Sequence, residues 1–248
     1  MSESSGWMLI VGATSAIAEA VARRWASRGR RLLLAGRDPV RLAAIADDLK
    51  VRGSPEVAVL VLDVARVGDH AAFIDEVWQR GPIDTVLLAH GTLPDQAACQ
   101  ASVERLLTEL NLNFTATVAL LALVANRMEQ QGSGTIGVIT SVAGDRGRMS
   151  NYVYGAAKGG VSRFLQGLRH RLAGKGIRVV DIKPGFVDTP MTAAFTKGPA
   201  WATPQRVAAD IERALRRGIP ELYTPWFWRP IMAVIKALPL ALMHRTRL

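Results

Sequence analysis

Short apolar runs alternate with helical patterns along almost the whole chain. The apolar runs cover residues 7–11, 31–35, 57–62, 83–89, 135–140, 177–182 and 221–223. Patterns with helical period cover residues 15–28, 39–50, 69–80, 101–131, 152–173 and 204–217. Continuous apolar strands that alternate with helices are typical of a mainly parallel sheet covered by helices on both faces. The sequence therefore predicts a single doubly wound α/β domain with a seven-stranded sheet.

Residues that directly follow the predicted strands are expected to meet at one edge of the sheet. Ligands of open parallel sheets bind beyond the carboxyl ends of the strands, at the topological switch point. The residues in these positions are Gly12, Arg37, Asp63, Gly91, Ser141 and Pro184. A ligand site is therefore predicted at this edge.

Tyr154 and Lys158 lie four residues apart in a predicted helix, so their side chains should share one face. A free phenol has a pKa of about 10, and a neighbouring ammonium favours the phenolate. Ser141, at the end of the fifth predicted strand, could hold a substrate oxygen against the phenol. Together they suit acid–base chemistry at that oxygen. Taken alone, a Tyr and a Lys at this spacing are also a common surface pair, and Tyr152 is a competing phenol.

The segment after the first strand predicts a phosphate-binding turn. It reads Gly-Ala-Thr-Ser-Ala-Ile-Ala from Gly12 to Ala18 and leads into a helix. Free backbone N–H groups and the positive end of the helix dipole would face an anion there. Taken alone, the segment also suits an ordinary strand, turn and helix.

Seven landmarks in order make the chain resemble the short-chain dehydrogenase/reductase family over nearly its whole length. They are the 12–18 turn, Asp63, Ala89-His90-Gly91, Asn113 in Asn-Phe-Thr-Ala-Thr, Ser141, the Tyr154/Lys158 pair, and Pro184-Gly185-Phe186-Val187-Asp188-Thr189. The chain departs from the family pattern at Ala16 and Ala18, where two more glycines are usual, and at Ala89, where an Asn is usual. The resemblance implies a Rossmann-type domain over residues 1–224, with residues 225–248 as an extension of the same domain.

The resemblance also implies roles for particular residues. Ser141 would hold the substrate oxygen, and Tyr154 would protonate it. Lys158 would lower the pKa of Tyr154 and bind the nicotinamide ribose, while Asn113 would bend its helix and complete the proton relay. The residues implied to contact the cofactor are Gly12, Thr14, Ser15, Ala16, Ile17, Arg37, Asp63, Val64, Ala89, Gly91, Tyr154, Lys158, Pro184, Gly185, Val187 and Thr189. No metal site is expected. The protein is expected to form a homodimer or homotetramer.

The end of the second strand favours NADP(H) over NAD(H). A carboxylate there would repel a 2′-phosphate, but the chain has Gly36 followed by Arg37. A guanidinium can pair with a phosphate through two parallel hydrogen bonds. Asp38, with Pro39 after it, is interpreted as the cap of the next helix. His90 is interpreted as a structural residue, with an added acid as the alternative.

The amino-acid composition limits the cellular location and the partners that are expected for this protein. Cys99 is the one cysteine, and the chain starts without a basic region followed by a long apolar stretch, so we expect a cytoplasmic protein. The net charge is +10, and residues 161–248 hold 15 Lys and Arg against 5 Asp and Glu. Because no recognition motif accompanies this charge, we expect no nucleic acid.

The tail 226–248 combines the aromatic residues Trp226, Phe227 and Trp228 with basic residues and no acid. It suits a segment lying on the inner face of a membrane, or equally a cover over the substrate cleft; both indicate a lipophilic substrate. In the loop 144–148, Arg146 and Arg148 could face a substrate phosphate or solvent. This loop and the tail resemble the branch that reduces a decaprenylphosphoryl-2-keto-pentose.

The sequence therefore predicts an NADP(H)-dependent oxidoreductase that reduces a carbonyl to an alcohol, or runs the reverse reaction, on a small-molecule or lipid-linked substrate. One alternative is a protein that binds NADP(H) without turnover. The other is a basic module for a membrane surface or a nucleic acid.

Overall fold

The computed structural model describes residues 6–246 and contains a seven-stranded sheet. The strands are β1 (Trp7–Val11), β2 (Arg31–Gly36), β3 (Val57–Val61), β4 (Ile83–Leu88), β5 (Gly134–Ile139), β6 (Ile177–Pro184) and β7 (Glu221–Thr224). All neighbouring pairs are parallel, in the order β3-β2-β1-β4-β5-β6-β7. The predicted doubly wound α/β fold is confirmed, and the order reverses between β1 and β4.

Helices cover both faces of this sheet. They are α1 (Ala16–Ala26), α2 (Pro39–Val51), α3 (His70–Gln79), α4 (Gln96–Ala101), α5 (Val103–Leu110), α6 (Ala116–Gln131), α7 (Tyr152–Arg171), α8 (Pro204–Arg217), α9 (Trp228–Ala237) and α10 (Leu240–Met243). Asp38 caps α2 as predicted, because its carboxylate accepts the N–H of Arg41 at 3.0 Å. The sequence interpretation missed α4, α9 and α10.

Two hydrophobic clusters lie on opposite faces of the sheet. In β1, Leu9 packs with α3, α6 and α7, whereas Met8 and Ile10 pack with α1, α2 and α8. This division follows from the period of two in a strand, which sends successive side chains to opposite faces. Both layers hold the carboxyl ends of the strands in place.

The predicted helix 101–131, with a bend expected at Asn113, is present in parts. Ser102 caps a new helix, α5, by accepting the N–H of Arg105 at 3.2 Å. A π-helical turn, Asn111–Thr115, then joins α5 to α6, which agrees with the bend expected at Asn113. In this turn the Asn111 amide donates to the Ala65 carbonyl at 3.3 Å. Such π-turns frequently mark functional sites.

The joined helix Val103–Gln131 is long and apolar enough to cross a bilayer by length and composition alone. In this structure it covers one face of the sheet, and Leu120, Val124 and Met128 are fully buried there. It is therefore described as a core helix.

Candidate active site

The predicted serine, tyrosine and lysine come together beyond the carboxyl end of β5. Ser141 follows that strand, while Tyr154 and Lys158 occupy successive turns at the start of α7. The Lys158 ammonium donates to the Ile139 carbonyl at 3.1 Å and lies 5.7 Å from the centre of the Tyr154 ring. Ser141 and Tyr154 share a side-chain hydrogen bond. Both are partly exposed, so a carbonyl oxygen can approach the two hydroxyl groups together.

A glycine contact sets the position of Ser141 relative to α7. A short turn, Val142–Asp145, follows Ser141 and packs directly on that helix. A Cβ at Gly159 would lie 2.7 Å from the Gly144 carbonyl oxygen, so a side chain there would push the turn away. The close approach of backbone to backbone thus aligns the serine with the tyrosine.

Asn113 is almost fully buried in the π-helical turn. Its side-chain oxygen accepts the N–H of Thr92 at 3.1 Å, and its amide donates to the Thr92 hydroxyl at 3.0 Å and to the Glu109 carbonyl at 3.2 Å. The Thr92 hydroxyl donates in turn to the Glu109 carboxylate. These bonds fix the Asn113 side chain in one orientation.

Gly91 lies between Asn113 and Lys158. A Cβ at this position would lie 2.8 Å from Asn113 Oδ1 and 3.2 Å from Lys158 Nζ, and its φ is +144°. Both the space and the backbone conformation therefore require glycine. The four predicted catalytic residues consequently lie around one end of the sheet, with Asn113 and Lys158 forming its buried side.

Burial decides the protonation of the two titratable groups. It raises the pKa of Tyr154 to about 12, although the hydrogen bond with Ser141 acts in the opposite direction. It lowers the pKa of Lys158 to about 8, against the negative charge of Asp181. The expected lowering of the pKa of Tyr154 by Lys158 does not appear in the net shift, because desolvation of the phenol is the largest effect. At neutral pH Tyr154 keeps its proton and can act as a donor.

The two competing candidates from the sequence lie elsewhere. Tyr152 is 43 % exposed and lines a cavity that Tyr154 does not line. His90 contacts the Thr117 hydroxyl through Nε2 at 3.0 Å. Burial, helped by the charge of Lys158, lowers the pKa of His90 to about 3, so it carries no proton to donate as an acid at neutral pH.

The turn after β1 fits an anionic group. Thr14, Ser15 and Ala16 are partly exposed along it, while the Ile17 side chain is buried beneath. The Ser15 side chain forms no capping bond, and the first N–H groups of a helix have no partner within it. These donors and the positive end of α1 suit the pyrophosphate of a dinucleotide. Ala16 and Ala18 do not block the approach, since Ala18 faces the core.

The same turn is anchored to the end of β2. The N–H groups of Gly12 and Ala13 both donate to the Ala35 carbonyl, at 2.9 and 3.1 Å. Arg37 follows two residues later and is exposed. Its guanidinium makes no hydrogen bond or ion pair within residues 6–246, and it lies next to the predicted cofactor turn.

The remaining predicted cofactor residues are of two kinds. Asp63 follows β3, and its carboxylate accepts the N–H of Ala65 at 3.1 Å. Val64 and Ala89 have side chains buried in the two hydrophobic clusters, which leaves only their backbone atoms for a cofactor. The structure thus gives these two a packing role that the sequence motif did not distinguish.

An aromatic wall closes the segment after β6. Gly185 donates its N–H to the Thr224 carbonyl at 3.1 Å, and the Trp228 indole packs so closely on Gly185 that a Cβ there would overlap it. Phe186 lies edge-on to Trp228 with centroids 5.5 Å apart. Pro184 and Val187 are buried, while Thr189 donates its N–H to the Thr192 hydroxyl at 3.2 Å. The segment is held between β7 and α9.

A buried charge network, missed in the sequence, lies beneath the turn after Ser141. Lys183 donates to Asp145 at 2.8 Å and lies 3.8 Å from Asp181, and it also contacts Glu221. Tyr223 donates to the other Asp145 oxygen at 2.6 Å. Asp181 and Lys183 stand two apart in an apolar strand, and this spacing was the available signal because it puts both on one face.

The Arg146 side chain is hydrogen-bonded to the end of α9. Its guanidinium donates to the carbonyls of Lys236 and Leu238, each at 3.0 Å, at the carboxyl end of that helix. Arg146 is therefore bound to the end of α9, since free carbonyls at a helix end attract a cation, and it is partly exposed. Arg148 has no such bond.

Among residues 6–246, no group of three or more His, Cys, Asp and Glu side chains is arranged to hold a metal ion.

Comparison with known proteins agrees with this geometry. The family described as short chain dehydrogenase matches residues 6–200. An uncharacterized oxidoreductase of Mycobacterium tuberculosis is 37 % identical, over 94 % of this chain and 93 % of the relative. A short-chain dehydrogenase from Sphingobium yanoikuyae in complex with NADPH is 28 % identical, with a TM-score of 0.82 over 95 % of this chain and 97 % of that chain. A tryptophan variant of actinorhodin polyketide ketoreductase with NADPH is 26 % identical, with a TM-score of 0.80 over 89 % and 95 %. The chain belongs to the short-chain dehydrogenase family of oxidoreductases.

Proposed function

We propose that this protein is an NADP(H)-dependent carbonyl reductase, which can also run in reverse as an alcohol dehydrogenase. The observation that carries the proposal is the meeting of Ser141, Tyr154, Lys158 and Asn113 around one end of the sheet, beside the turn that suits a pyrophosphate. A protein that only bound NADP(H) would not require this set. The alternative of a sensor without turnover is therefore less well supported.

The four residues have distinct roles in this proposal. The Ser141 hydroxyl holds the substrate oxygen, and Tyr154 donates its proton to it. Bound NADPH supplies the hydride for the carbonyl carbon. Because the pKa of Tyr154 is raised to about 12, the phenol holds its proton at neutral pH and can donate it to the substrate oxygen during reduction. Lys158 holds a positive charge beside the phenol, and Asn113, fixed by Thr92 and Glu109, supports the relay that returns a proton.

Arg37 supports the choice of NADP(H) over NAD(H). Its guanidinium is exposed and without a partner in the described residues, and it lies where a 2′-phosphate of the cofactor would be. The two solved relatives reported above contain NADPH, which agrees with this choice. Thr14, Ser15 and Ala16 would hold the pyrophosphate through their backbone N–H groups.

Apolar side chains around the site support a lipophilic substrate. Phe186, Met191 and Phe195 are exposed on the segment after β6, and Met149 is exposed on the loop before α7. A lipid-linked keto-pentose, as in the finer resemblance, combines a reducible carbonyl with a long apolar chain and is the specific substrate that we propose.

The outer face of α9 supports contact with an anionic membrane. Trp226 and Val234 are 71 % and 64 % exposed, and Arg229 and Lys236 are exposed beside them. The inner face of α9 packs on the site instead, since Trp228 and Met232 are buried against Val142 and Tyr223. Both interpretations of the tail thus have support, each on its own side of the helix. We propose a cytoplasmic homodimer or homotetramer that docks on the inner face of the membrane.

A screen of the purified protein against diverse carbonyl compounds tests the proposed function. NADPH oxidation followed by absorbance should reveal turnover with apolar ketones and keto-sugars, and none with the protein omitted. If NADPH binds but no compound in a broad screen is reduced, the sensor alternative is favoured. Light scattering after size-exclusion chromatography checks the assembly.

A further inference from the structure

A cavity of about 450 Å³ lies between the loop that precedes α7 and the segment 240–246. Its walls include Met149, Tyr152, Leu240 and Met243, together with the guanidinium of Arg148. None of Ser141, Tyr154, Lys158 or Asn113 lines it. The volume lies within the range of sites for small molecules, and the mixture of apolar walls and a few polar groups is typical of such sites.

Arg148 is the unusual member of this lining. Its Nε is buried and has no hydrogen-bond partner, and its guanidinium makes no ion pair within residues 6–246. Buried cations are normally paired, because removing a charge from water without a partner is costly. Burial also lowers the pKa of Arg148. Other arginines in the described part of the chain illustrate the contrast: Arg146 caps α9, and Arg171 bonds to Glu129.

The charge around the cavity has one sign. Arg146 and His244 also line it, and no Asp or Glu does. An anion would therefore meet a guanidinium ready to form two hydrogen bonds and no carboxylate to repel it. The apolar side chains beside it would exclude water from the pair and would hold a hydrocarbon chain.

We propose that this cavity binds the anionic group and the adjoining chain of an amphiphilic substrate, with Arg148 as the anion-binding residue. The inference deepens the proposed function and rests on it, because it places the anionic group and the apolar chain of the substrate beside the start of the helix that carries Tyr154. Binding at a distance from the reacting carbon can supply energy for orientation at that carbon.

Calorimetric titration with octyl phosphate below its micelle concentration tests the site without NADPH or turnover. Octanol, inorganic phosphate and octyltrimethylammonium are the matched probes. We expect octyl phosphate to bind at least tenfold more tightly than each of them. Equal binding of octanol would overturn the anion subsite, and equal binding of inorganic phosphate would overturn the apolar subsite.

Variants assign the binding to named residues. Arg148→Gln should weaken octyl phosphate at least tenfold and leave octanol unchanged, whereas Arg163→Gln, an exposed arginine of α7 outside the cavity, should change neither. Leu240→Ser, at a position already 64 % exposed, should weaken octyl phosphate but not inorganic phosphate. If Arg148→Gln folds normally by circular dichroism and binds octyl phosphate as tightly as the native protein, the proposal is wrong.

Competition shows whether the ligand is part of the substrate. Octyl phosphate should inhibit NADPH oxidation competitively against a long-chain keto carboxylate, and this inhibition should disappear in Arg148→Gln. Tight binding without competition would overturn the assignment to the substrate. Because Tyr154→Phe should abolish turnover and keep octyl phosphate binding, failure of this site and failure of the proposed function give different results.

Discussion

The hydroxyl of Thr140 donates a hydrogen bond of 2.5 Å to the carboxylate of Asp181. Thr140 directly precedes Ser141, and Asp181 lies on the neighbouring strand β6. The negative charge of Asp181 raises the pKa of Lys158, in opposition to burial, which is the larger effect and brings that pKa to about 8. A residue outside the predicted catalytic set therefore helps to keep the Lys158 ammonium charged.

The first prediction concerns pH. As pH rises through about 8, Lys158 loses its proton, while Tyr154 keeps its own until about pH 12. If the charged ammonium is required, kcat/KM for reduction should fall above about pH 8. Asp181→Asn removes the charge that raises the pKa of Lys158, so the alkaline limb should move to lower pH. Asp47→Asn, an exposed position on α2, is the control. An unmoved limb in Asp181→Asn would show that another group titrates.

The second prediction concerns the proton donor. Tyr154→Phe keeps the ring and removes the proton, so kcat should fall by about 10²- to 10⁴-fold, the usual contribution of general acid catalysis. NADPH affinity, measured by fluorescence titration, should stay within about twofold of the native value, since the change removes no positive charge. Tyr152→Phe should retain its turnover because Tyr152 lies outside the site. The opposite pattern in the two variants would mean that the wrong phenol was assigned.

The third prediction concerns the cofactor. Arg37→Ala should weaken NADPH by about 1.5–3 kcal/mol, which is roughly 10- to 150-fold in Kd, because hydrogen bonds to a charged group are lost. NADH lacks the 2′-phosphate and should bind nearly as before. Calorimetric titration of both cofactors distinguishes these results. Equal losses for the two cofactors would show that Arg37 does not contact that phosphate.

The periodicity of apolar residues was sufficient to predict the fold. The order of the motifs was sufficient to predict where the candidate site lies. The apolar strands of a parallel sheet leave a strong pattern, and residues after those strands must meet at one edge. The meeting of Ser141, Tyr154 and Lys158 at that edge could therefore be predicted from the sequence. The direction in which the pKa of Tyr154 shifts could not be predicted, because the shift depends on how much water the fold removes from the phenol.

Contacts between segments that are distant in the sequence could not be predicted from the sequence pattern. Arg146 looked available for a phosphate, yet the carbonyl end of α9 takes both of its donor groups. α9 itself was missed, because Arg229, Pro230 and Lys236 interrupt its apolar residues. Asp145, Lys183 and Tyr223 come from three elements, and only the fold brings them together.

The fourth prediction concerns stability. Lys183 and Asp145 are 4 % and 5 % exposed, so Lys183→Met would leave the carboxylates of Asp145 and Asp181 buried without their cation. Breaking a buried pair in this way typically costs about 3–5 kcal/mol. Urea denaturation should show a loss of that order. Lys175→Met removes a lysine that is about half exposed and bound to Glu129, and should cost less than about 1 kcal/mol. Similar losses in the two variants would indicate that the buried network contributes little to stability.

The last prediction concerns the membrane. The exposed side of α9 and α10 presents Trp226, Val234 and Leu240 with Arg229 and Arg245. Each basic residue close to an anionic surface contributes about 1 kcal/mol, and salt screens this attraction. The protein should therefore sediment with liposomes rich in phosphatidylserine at low salt, dissociate at high salt, and ignore purely zwitterionic liposomes.

Matched charge variants locate that contact. Arg229→Gln with Arg245→Gln should weaken liposome binding by about 2 kcal/mol, or roughly 30-fold, if both residues face the lipid. Arg216→Gln with Arg217→Gln removes the same charge from the end of α8. This helix runs back from the edge that holds the site to the opposite edge of the sheet, so the double change should have little effect on liposome binding. Removal of residues 240–248 should reduce binding and spare reduction of a small soluble ketone. Equal effects of the two charge pairs would mean that total charge, rather than α9, attracts the protein. If the intact protein does not bind anionic liposomes at low salt, the membrane-docking proposal is wrong. The tail would then act only as the cover that Trp228 and Met232 form over the site.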